Sequence, residues 1–262
     1  MSMNYKDFAI SLAKQAGQII KENFTLGMAK DWKSDNSPVT ETDLRINKLL
    51  LDGVKASFPG HRVKAEEESN MEGDSEFVWV CDPVDGTIPF SHGIPICTFS
   101  LALTKNGESI LGVVYDPFQD RLFTAVKGEG AFLNGKAIHV SKIDHFKSSA
   151  GNFEMYETAY FNFSKLANHL IFKEGVKLMK LSSFVYPSAL VAAGELAFCL
   201  FPGLTSHDGA AIKVIVEEAG GKVTSIFGDE QRYDQDIQGL IVSNGILHDH
   251  LVKLAKEMVT KT

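Results

Sequence analysis

The chain has 262 residues, 44% of them hydrophobic and 23% charged, and Lys+Arg 26 against Asp+Glu 33 leaves a formal net charge of -7. That composition suits a globular protein with a substantial core and excludes collagenous, low-complexity and disordered chains. No apolar run approaches the roughly 18–20 residues of a membrane span, the three cysteines (Cys81, Cys97, Cys199) form no paired framework, and the basic residues are scattered rather than gathered into a nucleic-acid stripe. The start of the chain lacks a basic region followed by an apolar one. The expectation is a reduced, cytoplasmic protein with no membrane and no nucleic-acid polymer as partner. An acidic protein that handles an anionic substrate needs a cationic mediator, and metal ions are the usual one.

Tyr5, Phe8, Leu12, Ala16, Ile19 and Ile20 recur at helical spacing and predict a helix from Asn4, its N-cap, to Phe24. A polar loop follows, from Asp31 to Pro38. A second helix is predicted from Thr42 to Phe58, with Leu44, Leu50, Leu51, Val54 and Phe58 inward, and Pro59-Gly60 stops it. Phe77–Cys81 reads as a buried strand ending at Asp82-Pro83. Ile96–Thr104, Ile110–Tyr115 and Arg121–Val126 read as a meander, with Asn106-Gly107 and Asn134-Gly135 as hairpin turns. The second half predicts helices over Thr158–Phe172, Ser188–Ala193, Asp208–Ala219 and Ile246–Val259. Its strands are Val176–Leu181, Leu196–Phe201 and Gly239–Val242. The pattern is a mixed α/β unit spanning 1–262, in two intimate halves of about 1–150 and 151–262.

The chemistry concentrates in Asp82-Pro83-Val84-Asp85-Gly86-Thr87. Two carboxylates on one turn repel each other unless a cation joins them. Gly86 permits close backbone approach to a ligand, and its amide and that of Thr87 are placed to face phosphate oxygens. The plain alternative is an ordinary turn with solvated carboxylates. Ala65-Glu66-Glu67-Glu68-Ser69 alone reads as a solvated acidic run. Thr40-x-x-Asp43 alone reads as a helix capping box, and Asp208 as a helix N-terminal stabiliser. Together they set separated carboxylates at element boundaries, which is how hard-cation sites are assembled.

These residues belong to a longer pattern: Val39-Thr40-Glu41-Thr42-Asp43, Glu67-Glu68-Ser69, and Trp79 through Thr87. It continues with Gly112-Val113-Val114-Tyr115-Asp116-Pro117, Gly128 through Gly135, and His207-Asp208-Gly209-Ala210-Ala211 running to Gly221. In that order the sequence resembles the inositol monophosphatase family of magnesium-dependent, lithium-sensitive phosphatases. The resemblance implies a layered α-β-α-β-α sandwich, two or three Mg²⁺ per active site, and a homodimer. It implies hydrolysis of a small phosphorylated metabolite, such as inositol monophosphate, by direct in-line attack of a metal-activated water. Glu67, Asp82 and the Val84 carbonyl would hold one metal; Asp82, Asp85 and Asp208 a second. Glu67, Asp43 and Thr87 would be catalytic, the last two by orienting the attacking water. Asp85, Gly86, Thr87, Ser182, Ser183, Phe201 and Asp208 would line the substrate, and Lys33 falls near the metal loop.

The departures lie on the recognition side. Ile88-Pro89-Phe90 replaces a segment with Asn in the middle, His207 replaces an aromatic, and Ser182-Ser183-Phe184-Val185 replaces smaller residues. Ala197 and Phe201 stand where the animal enzymes carry ring-binding acids. A pocket that loses such partners loses discrimination among hydroxyls, so myo-inositol 1-phosphate is not the expected best substrate. Fructose 1,6-bisphosphate, histidinol phosphate and a nucleotide 3′-phosphate are alternatives. So are an aspartyl-phosphate mechanism, disfavoured by the spacing of Asp82 and Asp85, and a catalytically silent metabolite-binding relative. His207 reads as a structural buttress for Asp208, with contact to substrate as the other reading.

Overall fold

The structure, a computed structural model, describes residues 4–33, 38–67, 71–156 and 159–262. Residues 34–37 of the polar loop, Glu68 and Ser69 of the acidic motif, and the Thr158 start of an expected helix lie outside the described residues. Helix α1 (Tyr5–Asn23) begins at Asn4, whose side chain accepts a hydrogen bond from the Asp7 amide at 2.9 Å. The two-residue strands β1 (Asp31–Trp32) and β2 (Pro38–Val39) pair antiparallel ahead of α2 (Glu41–Ser57).

A seven-stranded sheet follows in sequential order: β3 (Arg62–Ala65), β4 (Phe77–Asp85), β5 (Thr98–Lys105), β6 (Glu108–Asp116), β7 (Arg121–Val126), β8 (Gly130–Leu133) and β9 (Lys136–Ala137). Only β3 runs parallel to its neighbour. The hairpin turns are as expected, with Asn106 and Gly107, and Asn134 and Gly135, all at positive φ, the backbone that tight two-residue turns require. A short helix α3 (Thr87–Ser91) bridges β4 and β5.

The second sheet has five strands, β10 (Ala150–Phe153), β12 (Lys177–Met179), β13 (Phe198–Phe201), β14 (Lys222–Thr224) and β15 (Leu240–Ser243), in the order β12-β10-β13-β15-β14. The small strands β11 (Phe161–Asn162) and β16 (Thr260–Lys261) pair with each other. Helices α4 (Ser164–Phe172), α5 (Val185–Ala192), α6 (Ala210–Glu218) and α7 (His248–Met258) complete the chain.

Burial explains the stacking. Phe8, Leu12, Ile46 and Leu50 of α1 and α2 pack on Trp79 and Leu101 at one face of the first sheet. Ala189 of α5 and Ile212 and Ile215 of α6 fill the space between Val80 and Ala102 on one side and Val242 on the other. Leu166 and Leu170 of α4 and Leu251 of α7 cover the outer face of the second sheet at Phe198 and Ile241. The result is the α-β-α-β-α sandwich that the resemblance implied.

Three expectations need correction. Leu44 is 55% exposed, because the buried stripe of α2 runs through Asp43, Ile46, Asn47, Leu50 and Val54 and leaves Leu44 beside it. The stretch expected to be helical before Ser164 contains β11, since Phe161 is buried and pairs with the C-terminal strand. Finally, β4 does not end at Cys81 but continues to Asp85 through an irregularity.

That irregularity shapes the site. Asp82 faces Ser100 and Asp85 faces Thr98, so β4 spends three steps where β5 spends two. Residues three apart on a regular strand point to opposite faces. One extra residue in a bulge restores them to the same side, and Pro83, which has no N–H to lose, suits such a position.

Candidate active site

Four segments bring acidic side chains to the end of β4. The bulge delivers Asp82 and Asp85, the residues after β3 deliver Glu66, the turn before α6 delivers Asp208, and the start of α2 delivers Asp43. Asp82, Asp85 and Asp208 each offer an oxygen, all within 4.8 Å of one another, and Glu66, Asp82 and His207 form a second group under the same limit. Asp82 belongs to both. The sequence expectation named Glu67, but Glu66 is the carboxylate beside Asp82. The Glu66 amide donates to the Cys81 carbonyl at 3.1 Å, so the chain is still in strand register there, and a slip of one residue turns a side chain to the other face. Glu67 instead bonds Lys33 Nζ at 2.6 Å, and Lys33 reaches Glu66 at 2.9 Å.

Asp85 is held by the second half of the chain. Its Oδ2 accepts from Ser183 Oγ at 2.5 Å, Thr98 Oγ1 at 3.0 Å and the Tyr186 amide at 3.2 Å, and its Oδ1 accepts from the Phe184 amide at 2.9 Å. Ser183 thus meets the site through the turn before α5, with Ser182 beside it at φ 53. Gly86 has φ 86, and a Cβ there would lie 2.7 Å from the Ile96 carbonyl oxygen, so no other residue fits this turn. Thr87 Oγ1 donates to the Val84 carbonyl at 2.8 Å. Pro89 sits in the first turn of α3, where a missing N–H costs no intrahelical bond.

Asp43 makes the capping box, its Oδ2 accepting from the Thr40 amide at 2.8 Å and from Thr40 Oγ1 at 2.6 Å. Its Oδ1 is buried and has no hydrogen-bond partner among the described residues. Capping therefore explains one oxygen and leaves the other free for a ligand. Phe201 is buried and lies against Phe184, ring centroids 4.8 Å apart. That contact makes Phe201 part of the core between the two sheets.

Burial pushes the Asp82 carboxyl well above its ordinary range, and Glu66, Asp85 and Asp208 add to the rise. Burial raises Asp85 despite the Ser183 hydrogen bond. It lifts Asp208 to about 6 against the opposing pull of His207, and Asp43 to about 7. At Glu66 burial is outweighed by His207 and Lys33, which hold the carboxyl below its usual value. The crowd of hard oxygen donors around Asp82 fits the binding of divalent cations.

A pH dependence follows for metal-free protein. Asp43 and Asp208, together with buried Glu154 at about 7, hold protons in the fold that they release in the unfolded chain. Their stabilising contribution is complete below the ordinary carboxylate range and is lost as pH rises through about 6 to 7. Buried His248, lowered to about 4, opposes this only below its ordinary value of 6.5. In chelator, urea unfolding at pH 6.5 is expected to give about 1–2 kcal/mol more stability than at pH 8. Equal midpoints would mean that these carboxyls are compensated without metal.

The comparisons with known proteins agree with this geometry. The model of the inositol monophosphatase family matches residues 3–260. A fructose-1,6-bisphosphatase/inositol-1-monophosphatase of Thermotoga maritima is 33% identical over 258 residues, 98% of each chain. Inositol monophosphatase 1 of Solanum lycopersicum is 35% identical, over 94% of this chain and 92% of its own. Among solved structures, an IMPase of Thermotoga maritima superposes with a TM-score of 0.86 at 32% identity, covering 98% of both chains. Among the described residues, no helix is long and apolar enough to cross a membrane.

Proposed function

The chain belongs to the inositol monophosphatase family and is a phosphoric monoester hydrolase, and from that premise we propose that it uses Mg²⁺ to hydrolyse a small polyol or sugar phosphate by direct attack of water. The observation that carries this reading is the pair of ligand groups sharing Asp82, one of three carboxylates and one of two carboxylates with His207. Glu66 and Asp82, with the Val84 carbonyl, would hold one ion, and Asp82, Asp85 and Asp208 the other. Bound Mg²⁺ would supply charge neutralisation on the phosphate and a lowered pKa for water.

The chain's own groups do the rest. The first-turn amides of α3 have no intrahelical acceptor, so Gly86 and Thr87 present N–H donors to phosphate oxygens. The unpartnered Asp43 Oδ1 is the proton acceptor for the attacking water, with the Thr87 hydroxyl as its orienting partner. Lys33 balances Glu66 and Glu67 at the rim. Direct attack by water asks no side chain to carry the phosphate, and Asp82 and Asp85, the carboxylates of the motif, would both serve as ligands of the ions. The family resemblance further supports a cytoplasmic homodimer in which residues 1–262 work as one unit.

Ala197 and Phe201 are both buried and apolar, which favours a substrate read less through its ring hydroxyls than inositol is. A panel tests this: phosphate release with Mg²⁺ from inositol phosphates, fructose 1,6-bisphosphate, histidinol phosphate, glycerol phosphates and nucleotide 3′-phosphates. The expected result is a clear preference for one sugar or polyol phosphate, slow turnover of inositol 1-phosphate, and complete loss on chelation. Silence across the panel from folded, metal-loaded protein would overturn the phosphatase reading of this site.

A further inference from the structure

His207 and Asp208 are consecutive, yet both face the same cluster. They occupy the turn ahead of α6, where neighbouring side chains are not forced apart as they are on a strand. The imidazole is 13% exposed, and its Nε2 lies 3.5 Å from Asp208 Oδ2, too far for a good hydrogen bond. A ring nitrogen instead shares a space within 4.8 Å with oxygens of Glu66 and Asp82. The aromatic that the family resemblance implies here would buttress Asp208 without offering an imidazole lone pair to a metal. An imidazole brings a lone pair to a group of ligands that is otherwise all oxygen.

We propose that His207 is a direct ligand of the ion held by Glu66 and Asp82, so that this position takes an imidazole-accepting divalent transition ion in preference to Mg²⁺. The all-oxygen group of Asp82, Asp85 and Asp208 keeps the preference for Mg²⁺, so the two positions of the pair differ in the metal they select. Imidazole suits Co²⁺, Ni²⁺ and Zn²⁺, whereas Mg²⁺ takes oxygen and retains its waters. The inference rests on the proposed two-ion site.

Co²⁺ is the probe. The intact chain is titrated with Co²⁺ and with Mg²⁺ by calorimetry, and proton NMR of the Co²⁺ form is searched for the strongly shifted, exchangeable imidazole N–H of a coordinated histidine. The expected result is one Co²⁺ bound on the order of tenfold or more tighter than Mg²⁺, together with that shifted resonance. His207→Phe, which restores an aromatic, and His207→Gln, which keeps a polar group of similar length, should both lose the resonance. Their Co²⁺ affinity should fall about tenfold or more while Mg²⁺ affinity changes little. A Co²⁺ form with no such resonance, or one that keeps it in both variants, overturns the assignment of His207. In that event Mg²⁺-dependent phosphate release by the unaltered chain would leave the phosphatase reading standing. Absence of metal binding together with absence of hydrolysis would remove both.

Discussion

Asp85→Asn is expected to lower Mg²⁺-dependent phosphate release by at least about a thousandfold while the chain still folds. Asp85 contributes an oxygen grouped with those of Asp82 and Asp208, and a neutral amide there supplies no negative charge to hold a cation. The hydrogen bonds also change. Oδ1 and Oδ2 together accept two hydroxyls and two backbone amides. An Asn offers one acceptor oxygen and an NH₂ group. Ser183 and Thr98 can rotate their hydroxyls to accept from it, but the Tyr186 amide cannot. A stability loss of about 1–3 kcal/mol is therefore expected alongside the activity loss. Kinetics and thermal unfolding on the same preparation separate the two. Near-native turnover would sink the metal assignment.

Phe201→Glu is expected to produce the largest loss of stability. Phe201 is 4% exposed, packed at 4.8 Å on Phe184 within the core between the two sheets. Removing a buried phenyl costs about 3–5 kcal/mol, and a carboxylate in its place must find partners or stay protonated. For a chain of this size that corresponds to a fall in Tm of roughly 6–20 °C. Where the variant remains folded, the acid restored on the recognition side is expected to move the substrate ranking toward inositol phosphates. An unchanged ranking with an unchanged Tm would place Phe201 outside both the core and the substrate wall.

Much of this was legible in the residues, and the failures have local causes. The Asn4 cap, the two Asn-Gly turns and the helical stripe of α1 are signals carried by near neighbours, and the structure agrees with them. The carboxylates Asp82, Asp85 and Asp208 were legible from one motif and its distant partner. Strands β3, β10 and β14 were missed because each is short and lies outside any apolar run like those of β13 and β15. The choice between Glu66 and Glu67 depended on register: nothing in a run of three glutamates says which one continues strand geometry, and only the pairing of β3 with β4 decides it. The placement of His207 required knowing that its turn faces the bulge of β4. Ser183 and Thr98 carry no motif of their own: Thr98 reaches Asp85 through the pairing of β5 with β4, and Ser183 only when the turn before α5 docks.

That docking has a consequence for the chain while it is being made. The Asp-Pro-x-Asp-Gly-Thr segment is complete a third of the way along the sequence, but Ser183, which clasps Asp85, lies 98 residues later, and Asp208 later still. A nascent chain therefore carries the motif through much of its synthesis without the geometry to grip an ion or attack a phosphate. The site is expected to assemble only when the last third of the protein arrives, and chains cut before Ser183 should release no phosphate.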